Sequence, residues 1–264
     1  MIFMRYIVAF FTFFSVTLNA SLNDALIDQS HHISVLTQLD IENSYATDEH
    51  LRGILDNYKL YKRTIMLQVL SDAYIYFPMI KQMLGESGLP DSLVYMAMAE
   101  SNFNNSAYSK AKAVGMWQFM PKTAAIFDLK INRYVDERRD PIKATKAAIK
   151  YLTSLHKRFG KWYLAMMAYN CGGGRLSWAI KKARSDDLSV LLQVKKGRKR
   201  QYLPGETRNY IRKIIALSTL SESESMLLSS NNMHLLNRGI SYPIATVNVS
   251  AGTPLSEIAT TIGT

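Results

Sequence analysis

The run Ser92-Leu93-Val94-Tyr95-Met96-Ala97-Met98-Ala99-Glu100, SLVYMAMAE, is apolar at nearly every position and closes on a carboxylate. On a helix begun at Pro90, with Asp91 in its first turn, Glu100 shares a face with Ala97, Met96 and Leu93. A glutamate on the apolar stripe of a core helix, at the C-terminal end where the helix dipole disfavours negative charge, is pushed toward its protonated form. That is the state a general acid needs near neutral pH, and glycosidase acids are tuned in this way to a pKa of roughly 6. From the helix alone, an exposed or salt-bridged helix-end glutamate is an equal alternative.

The next residues favour the chemical reading. SNFNNSAYSKAKAVGMWQFMP, from Ser101 to Pro121, is a polar segment rich in Asn, Ser and Tyr that leads into Met116-Trp117-Gln118-Phe119-Met120. Polar loops beside a half-buried carboxylate supply hydrogen bonds to hydroxyls and amides, and Trp, Phe and Met offer flat apolar faces for sugar rings. No phosphate cradle or metal cluster competes, and no metal or cofactor is expected. Gly172-Gly173-Gly174 lacks a following Lys-Ser/Thr and a preceding strand, so it is a helix stop or a close approach of backbone to ligand.

Around this stretch the chain is punctuated for helices. Pro121 opens one before KTAAIF, Asp140-Pro141 supplies an N-cap and first position, and Gly160 supplies a stop. Between them Ala144, Ala148, Tyr151, Leu152, Leu155 and Phe159 form one buried stripe. KWYLAMMAYN is a further helix, RLSWAIKKA a short one, and GETRNYIRKIIALSTL a long last one. Upstream, residues 21–84 read as amphipathic helices whose task is packing, with an apolar face interrupted at Pro78. His31 and His32 are adjacent and read as polar surface residues. Alternation of the β type is almost absent through Leu220, so the fold class is mainly α.

The composition sets the setting. The chain has 264 residues, 48% hydrophobic, a formal charge of +11 and one cysteine, Cys171, with an isoelectric point near 9.6. One cysteine excludes an internal disulfide, a thiol redox pair and a Cys-based zinc site. Cys171 is also too far from the N-terminus to carry a lipid. Residues 1–20, MIFMRYIVAFFTFFSVTLNA, have the form of a secretory signal peptide, with an uncleaved anchor as the alternative; either way the remainder is exported. Export argues against nucleic acid, so the basic charge suits an anionic wall polymer or a membrane surface. Lys195 to Arg200, KKGRKR, reads as a solvated loop. Residues 221–240 are a Ser-rich linker, and 241–264 hold a strand-like ATVNV and the start of a short helix.

The ordered motifs ESNF, SKAKAVGMWQFMP, AYNCGGG and ETRNY, with DERRDPIKATKAAIKYLTSLHKRFG between them, resemble the lysozyme-like catalytic (SLT) domain of bacterial lytic transglycosylases, most closely the D type. The resemblance covers residues 85–220, and VNVSAGTPLSEIATTIG resembles the first half of a LysM glycan-binding module. It implies a periplasmic, cell-wall-associated enzyme acting on peptidoglycan strands. Glu100 would protonate the oxygen of the β-1,4 bond between N-acetylmuramic acid and N-acetylglucosamine, then act as base on the muramoyl C6 hydroxyl to close a 1,6-anhydro ring. The nucleophile belongs to the sugar, so no second carboxylate is required. By the same resemblance Ser109, Gly115, Gln118 and Met120 would form the catalytic subsite. Tyr169 would hold the glutamate or a substrate acetamido group, Asn170 would fix its turn, and Glu206 and Tyr210 would bind substrate. Lys112 stands where a glycine is common. The alternatives are a hydrolytic muramidase, with Asp128, Asp136, Asp140 or Glu206 activating water, and a non-catalytic peptidoglycan-binding protein.

Overall fold

Helices carry the fold in the computed structural model, which describes residues 29–193, 201–221, 223, 227, 249–250 and 252–262. Among these residues β pairing occurs only as isolated bridges, Tyr108 with Val114, Val114 with Phe119 and Ile131 with Asp136. The expected signal peptide (1–20), KKGRKR, nearly all of the expected linker (221–240) and ATVNV up to Asn248 lie outside the described residues. Of the LysM-like stretch, a helix over Leu255–Ile262 is seen.

The elements are α1 (29–38), α2 (Glu49–Asn57), a π-helical turn (Tyr58–Lys62), α3 (Arg63–Asp72), α4 (Tyr76–Glu86), α5 (Val94–Ser101), α6 (Pro121–Ile126), α7 (Pro141–Phe159), α8 (Trp162–Cys171), α9 (Gly173–Ala183), α10 (Leu188–Leu191), α11 (Gly205–Ser221) and α12 (Leu255–Ile262). Their boundaries follow the punctuation. Asp140 accepts hydrogen bonds from the N–H groups of Ile142 and Lys143, with Pro141 behind it, and Gly160 ends α7 at φ 78°. Gly172, at φ 84°, is the break between α8 and α9, which settles the triple glycine as a helix stop. Pro78 lies in the first turn of α4, where its missing N–H costs no helical bond. Asp91–Leu93 form a 3-10 turn, so α5 starts later than Pro90 suggests.

The core is built around α5, α8 and α11. Val94–Met98 of α5 and Tyr163–Ala168 of α8 are buried on all sides, as helices without a polar face must be. In α7 the predicted stripe is correct at Ala144, Ala148, Leu152 and Leu155, while Tyr151 and Phe159 pack at its edge. α11 packs against α2, α5 and α8. The hydrophobic cluster runs from Val35 to Leu227 and is continuous across residue 84.

A polar clasp ties α2 to α11. Asp48 caps α2 by accepting from Leu51 N–H at 2.7 Å and also accepts from Arg212 Nε at 3.2 Å. The Arg212 residue is 5% exposed. Asp48→Ala removes the cap and strands a buried guanidinium, so urea unfolding should show a loss of about 2–4 kcal/mol.

Candidate active site

Glu100 opens onto a cleft of about 770 Å³. One wall is α5, with Ala99 and Glu100; Gln118 comes from the polar loop and Asn170 from the end of α8. α11 contributes Glu206, Asn209, Tyr210 and Lys213, the i, i+3, i+4, i+7 spacing of one helix face. The facing wall is Gly53, Ile54 and Asn57 of α2 with Tyr58 and Lys62 of the π-helical turn. The N-terminal helices therefore do more than pack, and this corrects the expectation for residues 21–84. Their contribution could not be read locally, because it depends on α2 folding back onto α11.

Burial pushes the Glu100 carboxyl up to about 7, helped by the nearby Glu206 charge and opposed by the Tyr210 hydroxyl and the Lys213 ammonium. The Tyr210 hydroxyl is buried and lies against the carboxyl, yet meets no partner at full hydrogen-bond geometry. Lys213 Nζ donates to the Ala99 carbonyl at 2.8 Å. Burial pulls its pKa down, Glu100 draws it up, and Lys62 pushes it down again. Neither Lys213 nor Lys62 stands out in the sequence. Their signal is a helical offset from Tyr210 and Tyr58, recognisable only once those faces are known.

The backbone leaving Glu100 is strained. Asn102 and Phe103 both have positive φ, 54° and 60°, and for an aromatic residue that conformation is uncommon. It persists because Phe103 is anchored in the core edge-on to Phe77, ring centroids 6.0 Å apart. Ser101 Oγ donates to the Met116 carbonyl at 2.8 Å, pinning the polar loop to α5.

The loop itself is organised by residues of two kinds. Gly115 has φ 82°, and a Cβ there would sit 1.8 Å from the Arg138 carbonyl oxygen. Arg138, 5% exposed, forks onto Asp136 at 2.8 and 2.7 Å while Nη1 donates to the Lys112 and Phe119 carbonyls. Sequence reading assigned Arg138 no role, since its partners are up to 26 residues away. Gln118, at φ 48°, donates its amide to the Gly115 carbonyl at 2.8 Å and faces the cleft. Lys112 adopts φ 69°, the conformation for which glycine is suited. Lys112→Gly should therefore raise stability by about 0.5–1 kcal/mol in a denaturant titration, provided the Arg138 contact to its carbonyl is kept.

The other expected residues divide. Asn170 lines the cleft and accepts from Thr207 Oγ1 at 2.8 Å, fixing the α8 turn to α11. The Tyr169 hydroxyl donates to the Trp117 carbonyl at 2.7 Å, so it buttresses the loop instead of bonding Glu100; burial and the Glu100 charge push its pKa well up. Ser109 Oγ accepts from Ala113 N–H at 2.9 Å, closing the loop away from the cleft lining. Met120 is 43% exposed and also lies outside the lining. The expected sugar platform is corrected: Trp117 and Phe119 are 0% and 2% exposed and belong to the core, with Trp117 Nε1 donating to Thr145 Oγ1 at 3.0 Å. His31 and His32 are half-buried, and burial lowers the His32 pKa. Among the described residues no group of His, Cys, Asp or Glu could hold a metal.

A cleft-lining glutamate whose carboxyl is raised by burial, at the end of a buried helix and beside a polar loop, gives this helical domain a candidate general acid. Residues 77–191 match the transglycosylase SLT domain. The chain is 31% identical over 198 residues to the membrane-bound lytic murein transglycosylase D of Escherichia coli K12, covering 73% of this chain and 40% of that protein. It is 38% identical over 133 residues to an Alteromonas sp. (strain M-1) protein named for tributyltin chloride resistance, covering 50% of this chain and 63% of that one. The chain thus spans less than two thirds of either relative. The 70 kDa soluble lytic transglycosylase of Escherichia coli matches in structure at 25% identity and a TM-score of 0.42, over 53% of this chain and 22% of that one. The family match ends before α11, which carries four of the cleft residues.

Proposed function

We propose that this chain is an exported lytic transglycosylase of the cell envelope that cleaves the β-1,4 bond between N-acetylmuramic acid and N-acetylglucosamine without water, leaving a 1,6-anhydromuramoyl end. The observation that carries the reading is the Glu100 carboxyl, raised to about 7 within the cleft. At that pKa one group can give a proton to the departing oxygen and then take one from the C6 hydroxyl. Tyr210 and Lys213 stabilise the carboxylate once the proton has left, and Tyr169 stays a neutral buttress of the loop. Gln118, Asn170 and Glu206 offer donors and acceptors to the sugars, and the Gly115 turn sets where Gln118 stands. The enzyme works in the periplasm on peptidoglycan strands, needs no cofactor, and serves wall turnover or remodelling. The 85–220 segment is its catalytic unit, completed by the wall from residues 21–84, and the stretch 241–264 belongs to a glycan-binding module of the LysM type.

A muramidase would require a second carboxylate facing Glu100. Of the candidates, Asp136 is held by Arg138, Asp140 caps α7 and Asp128 is exposed beside Lys150 at 3.3 Å. Only Glu206 reaches the cleft lining. Mass spectrometry of muropeptides released from purified sacculi tests the reading. Anhydromuramoyl products that vanish with Glu100→Gln support it. Products with a reducing end transfer the role of water activation to Glu206, and no release by the parent chain leaves a binding protein.

A further inference from the structure

Two ammonium groups line the cleft that holds Glu100. Lys62 enters the cleft from the π-helical turn and Lys213 from α11, elements far apart in the chain, and the charge of the first is felt at the second. Lys62 is held over the Tyr58 ring, 5.1 Å from its centroid, and Lys213 is held by the Ala99 carbonyl. Among the described residues neither forms a salt bridge. The carboxylates on the cleft lining are Glu100 and Glu206, and Glu100 is largely protonated when it acts as an acid. Like charges facing one wet cleft cost free energy until an anion joins them.

We propose that Lys62 and Lys213 form a carboxylate subsite that takes the acidic group of the muramoyl unit: the lactyl carboxylate of a peptide-free strand, or a carboxylate of its stem peptide. This rests on the glycan reading above. The chemistry follows from the substrate, since N-acetylglucosamine is neutral and only the muramoyl unit carries or is linked to carboxylates. An ammonium pair on the cleft lining distinguishes the two alternating sugars and so fixes which bond lies at Glu100. Lys62 is suited to this because its stacking on Tyr58 limits the rotamer freedom lost when an anion binds. A carboxylate between the two would gain charge-assisted hydrogen bonds and relieve the mutual repulsion.

The test is binding by isothermal titration with the full chain carrying Glu100→Gln, so that no turnover occurs. The probes are a neutral N-acetylglucosamine oligomer, a peptide-free glycan oligomer with free lactyl carboxylates, and a peptide-bearing oligomer whose lactyl groups are amidated. Adding Lys62→Met is expected to weaken an anionic oligomer about fivefold, and Lys62→Glu by more, with the neutral oligomer unmoved and Lys62→Arg restoring affinity. A loss confined to the peptide-free oligomer assigns the lactyl carboxylate, and a loss confined to the peptide-bearing one assigns the stem. Equal losses for all three probes, or none, overturn the subsite while leaving the glycan reading intact. Failure of the Glu100→Gln chain to bind any oligomer overturns the glycan reading, and the subsite with it.

Discussion

Glu100→Gln is expected to reduce anhydromuropeptide release by roughly a thousandfold, the scale of a lost general acid that also serves as base. The same substitution should make the protein more stable at alkaline pH, and that pairing separates a catalytic role from a structural one. The Glu100 pKa is about 7 in the folded chain against an ordinary value of 4.5. For a carboxyl raised on folding, the stabilisation is fully present below pH 4.5 and is lost as pH rises through 7, because the unfolded chain releases the proton first. Above pH 7 the buried charge therefore costs about 3 kcal/mol. Gln118 and the other cleft groups keep their places in the variant, and the neutral amide removes the penalty. Thermal unfolding at pH 8 should show a higher Tm for Glu100→Gln than for the parent, with the gap closing by pH 4. Parent activity should fall as pH rises beyond about 7, since bond breaking needs the protonated form. A variant that loses activity but is no more stable at pH 8 would mean that Glu100 is ionised and paired in the folded state.

Gly115→Ala should be the most damaging of the small changes outside the carboxyl itself. The new methyl would lie 1.8 Å from the Arg138 carbonyl oxygen, where neither backbone segment can yield without opening the loop. The positive φ adds strain of order 1 kcal/mol. Together these predict a loss of about 3–5 kcal/mol, or a loop that refolds with Gln118 displaced and activity down about a hundredfold. Gly88→Ala is the control. It has φ 71° with no atom within 4 Å of the added methyl, so it carries the backbone strain alone and should cost about 1 kcal/mol without touching activity. If the two substitutions prove equally mild, close approach to Arg138 is not what requires glycine at position 115.

The stabilities of the two variants also bear on Arg138. Its guanidinium spans the loop from Lys112 to Phe119, so the loop that presents Gln118 is set by a residue on the far side of Pro121. A shifted Arg138 carbonyl in Gly115→Ala would move the fork on Asp136 as well, coupling loop geometry to the start of α7.

The sequence alone determined the features whose causes are local. Proline, aspartate and glycine set the ends of α6, α7 and α8, because a missing N–H, a capping carboxylate and a positive φ act within one turn of the chain. The apolar run before Glu100 determined that its helix would be buried, but an exposed or salt-bridged carboxyl stayed an equal alternative until the fold placed Glu100 in the cleft wall. Motif order was enough to resemble a family whose model then matched residues 77–191. What surrounds the carboxyl was decided only by tertiary structure. Trp117 could be a sugar platform or core by composition, and it became core because α7 offered Thr145 to its indole N–H. Tyr210 meets Glu100 because α11 packs against α5, while the Tyr169 hydroxyl is turned to the Trp117 carbonyl. Lys62, Lys213 and Arg138 act across gaps of many residues. Electrostatics and hydrogen bonding depend on distance in space, and no periodicity in the chain records which surfaces will meet.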